Sequence, residues 1–334
     1  MLPNYLSVSG KTRQNDVDVA FTISINPGAS TRAAGKQDSA QENRQAFLTF
    51  GDKSWGSIKL GKDLGIFASD AILNDMTLLG VGSGAGGLAG NTTTTGRIGT
   101  GYMYADWKAQ IAYSSPNFNG FSFTAGVTQA FNAIAVGNTI GSSESQNQGG
   151  SETAYEGKAS YEWAGDVAGK VWVSGMSQEV SKVGLAVAGV RSDERADAFD
   201  IGANVNVAGF GLTAYYYTGE GIGQTVQLNH GFDANGRARD SDGYYVQATY
   251  TIPGVGTKIG ASYGESILDG NAGEATLQEL KDSMWTVGVY HPLTKHLNLV
   301  AEYSTVESEL DRTGVQTTQE NEAKTISLGA ILFF

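Results

Sequence analysis

The stretch Asp16-Val17-Asp18-Val19-Ala20-Phe21-Thr22-Ile23-Ser24-Ile25-Asn26 alternates without a break. Val17, Val19, Phe21, Ile23 and Ile25 fall on one face, and Asp18, Ala20, Thr22 and Ser24 on the other. A period of two is the mark of a β-strand, whose successive side chains point to opposite sides. One face of this strand is dry and the other wet. No stretch approaches the 18 uncharged apolar residues of a transmembrane helix. That leaves open a membrane-spanning barrel, which carries its hydrophobicity in alternate residues only.

The same pattern recurs along the chain. Phe121, Phe123, Ala125 and Val127 oppose Ser122, Thr124, Gly126 and Thr128. Tyr155, Gly157, Ala159, Tyr161 and Trp163 oppose Glu156, Lys158, Ser160 and Glu162, so the wet side carries full charges. Tyr244, Val246, Ala248 and Tyr250 oppose Tyr245, Gln247 and Thr249, and Ile326, Leu328, Ala330, Leu332 and Phe334 share one face. Aromatics gather near strand ends, as an interfacial girdle requires.

Connections alternate in length. Short links such as Lys11 to Asn15, Gly51 to Gly56 and Ala164 to Asp166 carry turn-forming residues. Between them stand long ones, including Asp63 to Tyr102, Asn132 to Glu152, Gln178 to Asp197 and Gly219 to Asp242. The layout predicts an all-β fold, a transmembrane antiparallel up-and-down β-barrel with turns on one side and loops on the other. Regular and irregular segments together give fifteen strands. Antiparallel bacterial barrels close with an even number, so about sixteen are expected, with an N-terminal strand missing or, alternatively, a weak strand at Arg44 to Phe50 or Ser57 to Gly61 miscounted.

Composition removes several alternatives. A net charge of −12 over 334 residues opposes a nucleic-acid partner, whose phosphates need a basic face. The absence of Cys removes thiol catalysis, thiolate metal sites and disulfides. His230, His291 and His296 lack a metal-ligand spacing, and Asp233-Ala234-Asn235-Gly236 lacks the remaining ligands of a calcium loop, so it reads as a polar external loop. No nucleophile elbow supports a hydrolase. Neither catalysis, metal nor cofactor is expected.

Four segments carry a more specific signal. They are Asn43-Arg44-Gln45-Ala46-Phe47-Leu48 with Gly56-Ser57-Ile58-Lys59-Leu60-Gly61-Lys62, then Ile111 to Phe121, Val287 to Lys295, and the terminal Phe334. In order and spacing they resemble the trimeric general-diffusion porins of Gram-negative outer membranes. The resemblance implies one barrel over 1–334, with 63–102 as a third loop folded into the lumen as a constriction. It implies a homotrimer in a lipid bilayer with lipopolysaccharide, passing small hydrophilic solutes and ions, and Phe334 as a barrel-assembly signal.

It also implies an eyelet in which acids on the loop face a basic ladder on the wall. Asp75 is the first candidate for the loop acid and Asp70 the second, while Thr77-Leu78-Leu79-Gly80 replaces the family's usual segment. Lys62 matches a family arginine and is expected to face the pore: parity from Ile58 and Leu60 turns it outward, but strand ends often bulge. Asp106 stands where an inward arginine is common, with Lys108 on the same face, and Tyr5 occupies another arginine position. Arg97, Lys59, Lys158 and Lys170 are replacement cations. Fewer wall arginines and the acidic balance predict mild cation selectivity. The alternative, a substrate-specific channel with saturable binding, would use Tyr215, Tyr217 and Tyr245 as aromatic rails.

Overall fold

The computed structural model describes residues 4–28, 41–80, 94–131, 152–183, 192–274, 277–312, 314–315 and 317–334. Strands β1 (Leu6–Gln14) and β2 (Val17–Pro27) open one antiparallel sheet, and a two-residue strand β3 (Gln41–Glu42) pairs only with the end of β2. There follow β4 (Ala46–Asp52), β5 (Gly56–Leu64), β6 (Trp107–Ser114), β7 (Phe121–Thr128) and β8 (Ala154–Trp163). The sheet continues with β9 (Val167–Val183), β10 (Ser192–Val207), β11 (Phe210–Glu220) and β12 (Asp240–Thr251). It ends with β13 (Lys258–Asp269), β14 (Glu279–Pro292), β15 (Leu297–Asp311) and β16 (Gln319–Leu332). Apart from β3, each strand pairs with its neighbours in sequence order, which makes an up-and-down barrel; β1 and β16 are not paired with each other.

The wall is inside out relative to a water-soluble protein. On β11, Phe210 and Leu212 are 55% and 57% exposed, whereas Thr213 and Tyr215 on the opposite face are each 3% exposed. On β16, Ile326 and Leu328 are exposed and the alternating Thr325 and Ser327 are partly covered. Apolar side chains that stand exposed on strand after strand need hydrocarbon outside, because water would make such a surface costly. Strands suit those surroundings because the N–H and C=O groups between paired strands satisfy one another. Outward ring pairs mark the band's edges: Phe210–Tyr250 at 4.5 Å, Trp285–Tyr303 at 5.1 Å and Tyr161–Trp163 at 6.2 Å.

Several strand bounds differ from the sequence expectation; β1 runs through most of the link Lys11 to Asn15. Strands β9 and β10 run on through most of the expected loop Gln178 to Asp197. Above the apolar band both faces are wet, so the alternation fades while ladder pairing continues. Conversely, β6 starts at Trp107 rather than Met103, because Asp106 adopts a left-handed φ of 54° and Tyr104 bridges in parallel to Val226. The expected loop Asn132 to Glu152 lies almost wholly outside the described residues, as do residues 81–93 of the 63–102 loop.

The face assignment has a direct test. Leu328→Arg puts a charge on the lipid side and should cost about 2–4 kcal/mol near the bilayer centre. Thr325→Lys, facing the lumen, should cost far less. Urea titration of folding into lipid vesicles measures both, and equal losses would refute the assignment.

Candidate functional site

The chain leaves β5 at Leu64 and re-enters the wall at Trp107, and the described parts of the connecting loop lie inside the barrel. Its first anchor is Glu156 on the inner face of β8. One carboxylate oxygen accepts the backbone N–H groups of Ile66 at 2.7 Å and Phe67 at 2.9 Å. The other accepts Lys108 Nζ and, at 3.1 Å, the Thr128 hydroxyl. Lys108 also donates to Gln227 Oε1 at 2.6 Å. Lys108 and Glu156 are both buried, and four donors around one carboxylate offset its desolvation. Ala68 continues the attachment, its N–H donating to Ser174 Oγ at 3.2 Å.

Helix α1 (Ser69–Asn74) then turns Asp70 toward the wall. Lys170 Nζ on β9 and Lys158 Nζ on β8 donate to its two oxygens at 2.6 and 3.1 Å. Lys170 also meets Glu162 at 3.1 Å. Burial alone would push the Asp70 carboxyl up, but the two ammonium groups outweigh it and hold the group below its ordinary value. Lys158 and Lys170 keep about a quarter of their surface exposed, 26% and 24%. This is the arrangement of a loop acid against a basic wall.

Asp75 has a different use. It caps the short 3-10 turn Met76–Leu79, accepting from Thr77 N at 2.9 Å and from the Thr77 hydroxyl at 2.5 Å, and it accepts the Tyr102 hydroxyl at 2.9 Å. Gln247 clamps the same region, accepting Met76 N at 2.6 Å and donating to Asn74 O at 3.1 Å. Arg97 is fully buried and donates to Met284 O at 2.9 Å and Ser262 Oγ at 2.5 Å, on β14 and β13. Burial lowers its pKa, which the nearby Asp75 opposes. Gly101, at φ 137°, brings its N–H to Ser266 Oγ at 3.0 Å; an added Cβ there would stand 2.9 Å from the Tyr244 carbonyl oxygen. The loop thus touches β8 and β9 at one end and β13 and β14 at the other.

The remaining expected site residues divide. Lys59 faces inward, pairs with Asp63 and lies 4.9 Å over the Phe47 ring, while Gln45 donates to Asp63 at 3.0 Å. Lys62 does not: β5 pairs with β4 and β6 without a register shift, so no bulge turns it inward. It sits opposite the exposed Ala46 and Ala109 and donates to the Asn43 carbonyl at 2.8 Å. Asp106 folds back, accepting Trp107 N at 2.7 Å, and burial raises its pKa. Lys108 and Arg97, expected as pore cations, hold loops in place and are at most 3% exposed. Glu156 escaped the sequence reading because nothing local shows that a backbone turn ninety residues upstream will claim its carboxylate.

Tyr215, Tyr217 and Tyr245 are buried in one apolar cluster with Tyr102, Phe67 and Trp172. Tyr102 lies 6.5 Å from Tyr215 edge-on and 5.7 Å from Tyr245. The Tyr245 hydroxyl donates to Ala71 O at 2.9 Å and that of Tyr215 to Asp200 at 3.0 Å. These rings are packing for the loop, not rails along water. Tyr5 is half exposed, its hydroxyl donating to Gln45 at 2.6 Å. Asp233 is buried rather than displayed on an external loop, and its carboxylate accepts Asn235 N and Arg237 N at 2.9 Å and Arg237 Nε at 2.7 Å.

The fold agrees with the comparisons. No curated protein sequence matches the chain. The outer membrane channel DcaP of Acinetobacter baumannii superposes with a TM-score of 0.65 at 14% identity, covering 98% of this chain and 84% of that one. The anion-selective porin from Comamonas acidovorans gives 0.60 at 16%, covering 98% and 89%. The in-vitro folded OmpT of Vibrio cholerae in its trimer form gives 0.56 at 15%, covering 97% and 91%. A family profile described as Gram-negative porin matches residues 5–311, and the chain therefore belongs to the Gram-negative porins, β-barrel proteins of the outer membrane.

Proposed function

We propose that 1–334 form one barrel that passes small hydrophilic solutes and ions by diffusion, with 63–102 as its constriction loop. The observation that carries this reading is Asp70, brought by the loop onto Lys158 and Lys170 of the inner wall. Opposed charges across a narrow aqueous passage orient water and solute dipoles without chemistry. Burial of the three tyrosines argues against a saturable aromatic track.

The inward charges are largely paired: Lys59 with Asp63, Lys108 with Glu156, Lys158 and Lys170 with Asp70, and Arg13 with Asp18 and Asp52. Pairing makes selectivity weak. The acidic excess stands at the loop-side strand ends, where Glu265, Asp269, Glu279, Glu307, Asp311 and Glu322 outnumber nearby cations. Such a rim concentrates cations at the entrance, which supports mild cation selectivity. The trimer form of the Vibrio cholerae OmpT supports a homotrimer, the exposed apolar wall supports contact with lipid and lipopolysaccharide, and the exposed terminal Phe334 supports a role in assembly.

Reversal potentials in planar bilayers should show weak cation preference that shrinks between about 0.1 and 1 M salt, as the Debye length falls from about 10 to 3 Å. Clear anion preference at low salt would refute it. Asp70→Asn should move the ratio toward anions and loosen the loop by about 2 kcal/mol, read as greater open-channel noise. The Asp70 tether is fully present above about pH 4, its unfolded-state pKa, and is lost as pH falls through the lower folded value. Open-channel noise from the loop should therefore stay low from pH 7 down to about pH 4 and rise only below it.

A further inference from the structure

The barrel holds a second inward segment, the loop 221–239 between β11 and β12. Its Ile222, Val226, Leu228 and Phe232 are at most 3% exposed and join the cluster formed by Tyr102, Met103 and Tyr104 of the 63–102 loop and its end. Tyr104 N donates to Thr225 O at 2.9 Å, and Gln227 Nε2 donates to Tyr104 O at 3.3 Å. Gln224 and Gln227 stand three residues apart but touch distant parts of the wall. Gln224 Nε2 donates to Ser266 O on β13 at 2.9 Å, and Gln227 Oε1 accepts Lys108 Nζ on β6 at 2.6 Å. The segment therefore crosses the lumen.

It is also held in an unusual backbone shape. Thr225, Leu228 and His230 adopt φ of 70°, 67° and 61°, values that L-residues keep only when their surroundings enforce them. A buried clasp supplies that enforcement. Arg239 donates to both carboxylate oxygens of Glu274 and, at 2.7 Å, to His230 O, while Gly221 N donates to Arg239 O at 2.9 Å. Glu274 belongs to the next long loop, so three loops are locked together. Inner-face residues beside this segment, Tyr217 and Ser266, are fully buried, Ser266 with its carbonyl taken by Gln224.

We propose that 221–239 is a second constriction element, fixed in the lumen by the Arg239–Glu274 clasp, and that it narrows the water path. This rests on the channel reading above. Its role is to set pore size together with the 63–102 loop.

The test replaces 223–230 with a Gly-Ser link and records single channels. The expected result is conductance raised about 1.5-fold or more, with larger neutral sugars admitted in liposome swelling. Because the chain lacks Cys, a second measurement uses Leu228→Cys, which should react with a charged thiol reagent about tenfold more slowly than the exposed Thr294→Cys. Adding Glu274→Gln should remove that protection. Unchanged conductance in the shortened protein, or fast labelling at Leu228→Cys in an otherwise intact channel, would overturn the proposal. A parent protein that does not conduct would overturn the channel reading as well.

Discussion

Hydrocarbon offers no hydrogen bonds, and most of this structure follows from that deficiency. A chain crossing it must satisfy each N–H and C=O internally, and serially paired antiparallel strands do so with only turns between them. The consequence reaches every side chain. Val246 and Val287 stand exposed on the outside, while Ser262 and Thr286, on the inner face, are buried or bonded to polar neighbours. Polarity is thereby concentrated in the lumen, where water and folded-in loops compete for it.

That competition shapes the interior. Charged groups on the wall fall into two kinds. Glu156 with Lys108, and Arg97 on the loop, are desolvated and spend their hydrogen-bonding capacity on attachment. Lys158 and Lys170 retain partial exposure while holding Asp70. The first kind gives rigidity, because removing one partner of a buried pair leaves the other charge uncompensated. The second kind keeps contact with the lumen. A tyrosine cluster between loop and wall completes the anchoring through both ring packing and hydroxyl bonds.

Charge composition alone is a poor guide to such a pore. A net charge of −12 describes the whole chain, yet many acids occupy the loop-side strand ends, and inside the barrel Asp63, Asp70 and Glu156 are matched with cations. The family position of a residue is an equally imperfect guide. Lys62 follows the parity of its own strand, and Asp106 folds onto the next amide because its backbone turns left-handed.

The period of two in segments such as Asp16 to Asn26, together with alternating short and long connections, was sufficient for the barrel, its strand order and the face on which each strand residue lies. Those properties are local: a strand's alternation is printed in consecutive residues, and a short turn forces its flanking strands to be neighbours. Which inward charges meet water was not legible. Lys108, Arg97 and Lys158 look alike as inward cations in one dimension, and only the path of loops 63–102 and 221–239 separates buried anchors from pore wall. Tertiary structure decided this because burial depends on partners up to 187 residues away, as between Arg97 and Met284, and no local pattern encodes where a long loop comes to rest.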